Sequence, residues 1–338
     1  MHMHTRTVTH IRPSLWRWAG LLLILSLLLA ACQAQATGPL PTPEAASEYP
    51  NGRLLVGPDW LSAVLDHASL RIIDMRPPDA YAQGHIPGAV NVPVGTIAST
   101  VNGIPLEFDR QQVQDAVDKA GLQPDMTAVI YDNLGMMDAA RLFWTLEYVG
   151  HPDVRVLNGG WNAWQAAGLP TTKDSPRITA SSYPIHLDES KLVTAEQVLD
   201  RLDDPGVILV DARSPREYTG EARLAQRGGH IPGAVNLVWL DALTGGDVVY
   251  TTDPDWRAQL QDPDVEVFKS AADIRALLDA PGITPDKQVL TYCQTLWRGA
   301  HLYFLLRLMG FENVAGYDGS WAEWGNRSDL PVTTGSNP

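Results

Sequence analysis

The sequence predicts an α/β fold of two tandem domains, each a parallel β-sheet flanked by helices on both faces. Three observations predict it. The chain is 338 residues long, about twice the usual size of one domain. The segment Gly84-His85-Ile86-Pro87-Gly88-Ala89-Val90-Asn91 recurs, identical at all eight positions, from Gly229 to Asn236, and a repeat of that length is a duplication. Within each copy, short apolar runs that read as buried strands alternate with helical patterns, as a parallel sheet covered on both sides requires.

Composition narrows the function. The chain is 45% hydrophobic and 19% charged, with 39 acidic and 25 basic side chains and a formal charge of −14. Such a surface is not that of a nucleic-acid partner, and two cysteines make no disulfide scaffold. Residues 1–18 carry Arg6, Arg12 and Arg17 and no acid, and Ala19 to Ala31 is an apolar run too short to cross a bilayer. Residues 1–31 therefore read as a signal peptide ahead of Cys32. Its removal takes three arginines and no acid, leaving 22 basic and 39 acidic side chains and a charge of −17. His2, His4 and His10 go with it, so no metal site is expected. Residues 32–50, with Pro39, Pro41, Pro43 and Pro50, read as an extended tether.

The domains follow as 51–175 and 191–338, with a polar linker at 176–190. Leu70 to Arg76 in the first half matches Ile208 to Arg213 in the second, and Gly159 to Trp164 matches Gly319 to Trp324. In the second half Val207–Val210 reads as a strand, Asp273–Leu278 as part of a helix, Gln288–Tyr292 as a strand, Trp297–Met309 as a helix and Asn313–Ala315 as a strand. Trp161, Trp164, Trp321 and Trp324, spaced three apart on short helices, read as core.

Ligands of parallel sheets bind at the carboxyl ends of strands, which singles out the loop after Tyr292. Cys293 ends the strand, Gln294, Thr295, Leu296 and Trp297 follow, and Arg298 opens an amphipathic helix. Amides curled into a helix N-terminus stabilise an anion and Arg298 adds a fixed positive charge, so Cys293 is expected to be a nucleophilic thiolate. An inert buried cysteine is the alternative. The aligned position in the first half is Asp132, with Asp138 facing the same loop, so that half reads as non-catalytic. Asp211 and Arg213 form either a buried pair holding the loops or a substrate contact, and Asp74 with Arg76 in the silent half favours the pair. Arg216, Arg223 and Arg227 either focus positive potential on an anionic donor or are solvated. His85 and His230, present in both halves, read as loop packing.

These motifs, together with the stretch Asp318 to Gly325 and the Tyr-Cys-x-x-x-x-Arg loop from Tyr292 to Arg298, resemble the tandem-domain rhodaneses, the thiosulfate and 3-mercaptopyruvate sulfurtransferase family. The resemblance implies a five-stranded parallel sheet used twice. It implies that Cys293 takes a sulfane sulfur as a persulfide and passes it to a thiophilic acceptor such as cyanide or a thiol, without a cofactor. The backbone from Gln294 to Arg298 would cradle that persulfide, with Arg213 and Arg227 as further candidate contacts. The spacing of five from Cys293 to Arg298 is the sulfurtransferase length, whereas related phosphatases have six. Leu296 and Trp297 stand where many members have a glycine and a small residue, and their bulk is expected to narrow the mouth or wall it. The first domain has Asn102-Gly103-Ile104-Pro105 where mercaptopyruvate enzymes resemble one another in a His before Leu-Pro. Thiosulfate-type transfer is therefore favoured. Mercaptopyruvate transfer and a non-catalytic binding lipoprotein are the alternatives. Leu29-Ala30-Ala31-Cys32 resembles a lipobox, implying a lipid anchor at Cys32, an extracytoplasmic location on a bacterial membrane, and a protein expected to be a monomer.

Overall fold

Apolar runs form the strands and breakers end them. In the computed structural model the described residues are 1–2, 38–43, 47–101, 104–244 and 267–338. The expected signal peptide beyond its first two residues, Cys32, residues 33–37 and 44–46 of the expected tether, and Asn102 with Gly103 lie outside them. The first half runs β1 (Leu55–Val56), α1 (Pro58–Ala63), β2 (Leu70–Asp74), α2 (Pro78–Gln83), β3 (Val90–Asn91), β4 (Ala98–Val101), β5 (Ile104–Phe108), α3 (Arg110–Lys119), β6 (Thr127–Tyr131), α4 (Met137–Tyr148), β7 (Val154–Leu157) and α5 (Gly160–Ala166). The second runs β8 (Leu192–Val193), α6 (Ala195–Leu199), β9 (Val207–Asp211), α7 (Pro215–Thr219), β10 (Val235–Asn236), α8 (Ala271–Asp279), β11 (Gln288–Tyr292), α9 (Trp297–Leu308), β12 (Val314–Tyr317) and α10 (Ser320–Trp324). The expected strand at Asn313–Ala315 is longer than its apolar pattern and reaches Tyr317.

The two five-stranded sheets have the same order, β1-β7-β6-β2-β3 and β8-β12-β11-β9-β10, and their strands pair in parallel. Helix starts are written locally. Pro58, Pro78 and Pro215 each occupy a first helical position, where the missing N–H costs nothing. Ser214 and Glu217 form a capping box on α7. Register then sets the site: Asp74 lies beside Tyr131 and Asp211 beside Tyr292. The loop after each central strand thus emerges next to the Asp-x-Arg turn of its neighbour.

The halves meet through α4 and α9. Phe143 packs edge-on against Phe304 at 4.9 Å, and Glu147 accepts from the Tyr303 hydroxyl at 2.6 Å and pairs with Arg307 at 3.2 Å. One apolar cluster, holding Ile130, Phe143, Trp239 and Phe304, runs through both halves. All four tryptophans assigned to the core are buried.

The end of the tether departs from expectation. The Pro41 carbonyl accepts from Trp60 Nε1 at 3.0 Å, and the Tyr49 hydroxyl donates to the Lys269 carbonyl at 2.8 Å. Tyr49 is buried in the shared cluster, so burial of one aromatic ring fixes the chain just before the first domain. The linker is held likewise, by Tyr183, which is buried and whose N–H donates to Asp118 at 2.6 Å. Among the described residues no helix is long and apolar enough to cross a membrane.

Candidate active site

Cys293 follows directly on β11, and its side chain is 1% exposed. Four residues separate β11 from α9, and the last of them, Leu296, takes the left-handed conformation at φ 63°. That conformation is costly for a leucine and persists only where packing over-determines it. Here the leucine side chain is fully buried, and a Cβ on Gly316 would lie 2.8 Å from its Cδ2. The turn that opens α10 backs the loop. Ser320 Oγ accepts the N–H of Leu296 at 3.0 Å and of Cys293 at 3.4 Å and donates to the Tyr317 carbonyl at 2.8 Å. The N–H groups of Trp321 and Ala322 donate to the carbonyls of Cys293 and Gln294 at 3.0 and 2.9 Å.

Arg298 is not a surplus charge. Its Nη1 and Nη2 meet Glu217 Oε2 and Oε1 at 2.7 and 2.9 Å, a bidentate pair that is largely buried. Burial pushes the Glu217 carboxyl up, but Arg298, Arg213 and the Ser214 hydroxyl outweigh it and bring it down to about 2. The positive character of the loop is therefore that of its amides and helix start, and Arg298 shapes the loop while its charge is matched.

Several expected contacts are engaged elsewhere. Arg213 is buried, grips Asp211 through Nε at 3.0 Å and Nη2 at 2.6 Å, donates to the Gly229 carbonyl at 2.7 Å and lies 4.5 Å above the Trp321 ring. Arg76 repeats this on Asp74, Gly84 and Trp161 in the silent half. A substrate contact would not be duplicated there, so Arg213 is a brace between loops. Arg227 donates to the carbonyls of Leu330 and Trp324, both at 2.6 Å, and of Arg327, tying down the C-terminal segment. Arg216 and Arg223 are exposed, and Arg216 sits 3.7 Å from Glu221. Leu296 and Trp297 both point into the core, so their bulk does not wall the mouth. Thr295 is buried, while Gln294 is partly open: its Nε2 donates to the Leu224 carbonyl at 3.1 Å and its Oε1 has no partner among the described residues. His85 and His230 stack on Tyr81 and Tyr218 at 3.7 Å, fully buried, as loop packing requires.

The corresponding loop of the first half shows what such a backbone holds. Five residues separate β6 from α4, with Met136 left-handed at φ 62°. Asp132 Oδ1 accepts the N–H groups of Leu134 and Met136 at 2.8 and 3.0 Å, and Oδ2 that of Ala139 at 2.8 Å. Burial holds this carboxyl above its usual range against the pull of those amides. Where the second half has Ser320, the first has Gly160 at φ 54°, and a Cβ there would lie 2.3 Å from the Asp132 carbonyl oxygen. The first-half loop closes on its own carboxylate.

No motif in the sequence marks Glu217 or Ser320 as site residues. Both leave a trace in the sequence: Glu217 as the last member of a Ser-x-x-Glu capping box, Ser320 as the break in the repeat where Gly159-Gly160 becomes Gly319-Ser320.

Residues 57–167 and 194–327 each match the rhodanese-like domain. The chain is 35% identical over 280 residues to a thiosulfate sulfurtransferase of Azotobacter vinelandii, covering 82% of this chain and 96% of the relative. It is 33% identical over 302 residues to the sulfur carrier protein TtuD of Thermus thermophilus, covering 85% and 99%. Among solved structures it resembles YnjE, with a TM-score of 0.73, 29% identity and 85% and 69% of the two chains covered. It also resembles EanB, solved as a cysteine persulfide with ergothioneine, with a TM-score of 0.71, 26% identity and 83% and 70% covered.

Proposed function

This chain belongs to the rhodanese family and is a sulfurtransferase, and from that premise we propose that it moves a sulfane sulfur from thiosulfate, or a related sulfane donor, to a thiophilic acceptor through a persulfide on Cys293. The Cys293 thiolate attacks the outer sulfur of thiosulfate. A new S–S bond forms, the bond to the oxidised sulfur breaks, and sulfite leaves with its electron pair. An acceptor thiolate or cyanide then attacks the terminal sulfur, and Cys293 departs as the thiolate it was.

The observation that carries this reading is the pair of loops. The same strand-loop-helix backbone that presents three amides to Asp132 surrounds Cys293, which brings no carboxylate of its own. A persulfide extends the side chain by about 2 Å and supplies the missing anion. Leu296 N–H is committed to Ser320, so the cradle draws on the other loop amides. The acceptor comes from outside, because the chain holds only two cysteines and we assign Cys32 to a lipid anchor that places the protein outside the cytoplasm, on a bacterial membrane. After incubation with thiosulfate the Cys293 peptide should gain 32 Da, the mass of one sulfur, and Cys293→Ser should abolish transfer to cyanide. No gain from thiosulfate, mercaptopyruvate or polysulfide would end the proposal. Radiolabelled fatty acid should enter the wild type and not Cys32→Ser.

A further inference from the structure

Matching contacts run in both directions between the halves, behind each loop. At the end of the first-half hairpin, Phe108 pairs with Ala98 and its N–H donates to Asp318 Oδ2 at 2.5 Å. In the second half Phe268 pairs with Leu243 and its N–H donates to Asn158 Oδ1 at 3.2 Å. Asp318 and Asn158 hold the same place, one residue after β12 and β7. Each half therefore reaches across and holds the turn behind the other's loop.

The fifth residues of α4 and α9 break the symmetry. Arg141 is fully buried, and its Nη1 lies 2.6 Å from Asp318 Oδ1. Its guanidinium sits between the rings of Trp144 and Trp297, at 4.6 and 5.1 Å. Nε and Nη2 have no hydrogen-bond partner among the described residues. The counterpart His301 is equally buried and lies against the rings of Trp239 and Phe268. The catalytic loop is thus backed by a charged pair, Arg141 with Asp318, whereas the equivalent positions behind the first-half loop carry two uncharged side chains, His301 against Trp239 and Phe268 and Asn158 bonded to the Phe268 N–H. A buried pair is weak support for stability when an uncharged alternative exists, and this molecule shows that alternative at the equivalent place.

We propose that Arg141, from the non-catalytic half, is a positioning residue for sulfur transfer, a role that rests on the function proposed above. It acts on the loop from two sides. Through Asp318 it sets the turn whose Ser320 hydroxyl holds the Cys293 and Leu296 amides. Through Trp297 it sets the first residue of α9. Fixing both ends keeps the amides aimed where negative charge develops when Cys293 accepts sulfur.

The test transplants the uncharged residues of the first-half loop's backing. The double variant Arg141→His/Asp318→Asn should fold, load sulfur at saturating thiosulfate at least about tenfold more slowly with KM within about twofold, and exchange the Cys293 and Leu296 amide protons faster by a similar factor. Arg141→Lys, which keeps the charge without the planar stack, should recover part of both. A folded double variant with wild-type kcat and wild-type exchange overturns the proposal. If the double variant does not fold, Arg141→Lys decides, and wild-type rate and exchange there overturn it equally. Should the wild type accept sulfur from no donor, the functional reading fails, while the exchange rates still report whether Arg141 orders the loop.

Discussion

The loops after β6 and β11 come from one ancestral element and now do opposite things with the same amides. The first is one residue longer and folds its own Asp132 carboxylate into the ring of N–H groups. The second is shorter, begins with a thiol, and gives two amides, those of Cys293 and Leu296, to the Ser320 hydroxyl. The first anion site is filled from within and serves as a structural joint; the second, on the function proposed above, is left for a persulfide. The backbone is common to both, and the occupant decides.

The largest effect should come from making the second loop like the first. Cys293→Asp should lower transfer from thiosulfate to cyanide by at least about 1,000-fold and give no 32 Da adduct, while the protein stays folded because the loop amides accept a carboxylate. An unfolded Cys293→Asp protein would show that the two amide rings are not equivalent.

Next is the pair that has no counterpart in the silent half, where Asp138 stands in place of Arg298. Glu217→Gln leaves Arg298 without its carboxylate and should cost about 3 kcal/mol in denaturant unfolding at pH 7. The sign with pH is determined. The folded carboxyl titrates near 2, below its unfolded value of 4.5, so its contribution is complete above pH 4.5 and is lost as pH falls toward 2. The gap between wild type and variant should close over that window, and a constant gap would mean that the charge of Glu217 is not what stabilises.

His301, buried behind the first-half loop, gives a smaller effect at a different pH. Burial lowers its titration from 6.5 to about 3. The unfolded chain therefore binds the extra proton, and stability should fall by about 2 kcal/mol between pH 6.5 and 5. His301→Leu should flatten the profile there, and an unchanged slope would locate the pH dependence elsewhere. Arg216→Ala should change stability by less than about 0.5 kcal/mol, since its partner Glu221 is as exposed as itself. A threefold rise in KM for thiosulfate would instead restore Arg216 as a donor contact.

Much of this was legible before any coordinates. The duplicated octapeptide set the domain plan, and the strands at 207–210 and 288–292 appear as β9 and β11. The Asp-x-Arg braces were readable because each occurs twice. Direction was not readable. Leu296 and Trp297 look like mouth residues in a linear motif, yet both turn inward because the left-handed turn at Leu296 points its side chain under the loop. Arg298 looks like a free charge because Glu217 is 81 residues away in the chain.

The sequence by itself determined the fold class, the repeat and the place of the thiol, since these rest on local periodicity and on residue types at the end of one strand. Which charges are matched, which bulky side chains face the core, and how Arg141 of one half reaches Asp318 of the other, 177 residues on, were decided by tertiary structure. Burial and ion pairing depend on what the chain brings alongside, and for these residues the neighbours come from distant segments of the chain.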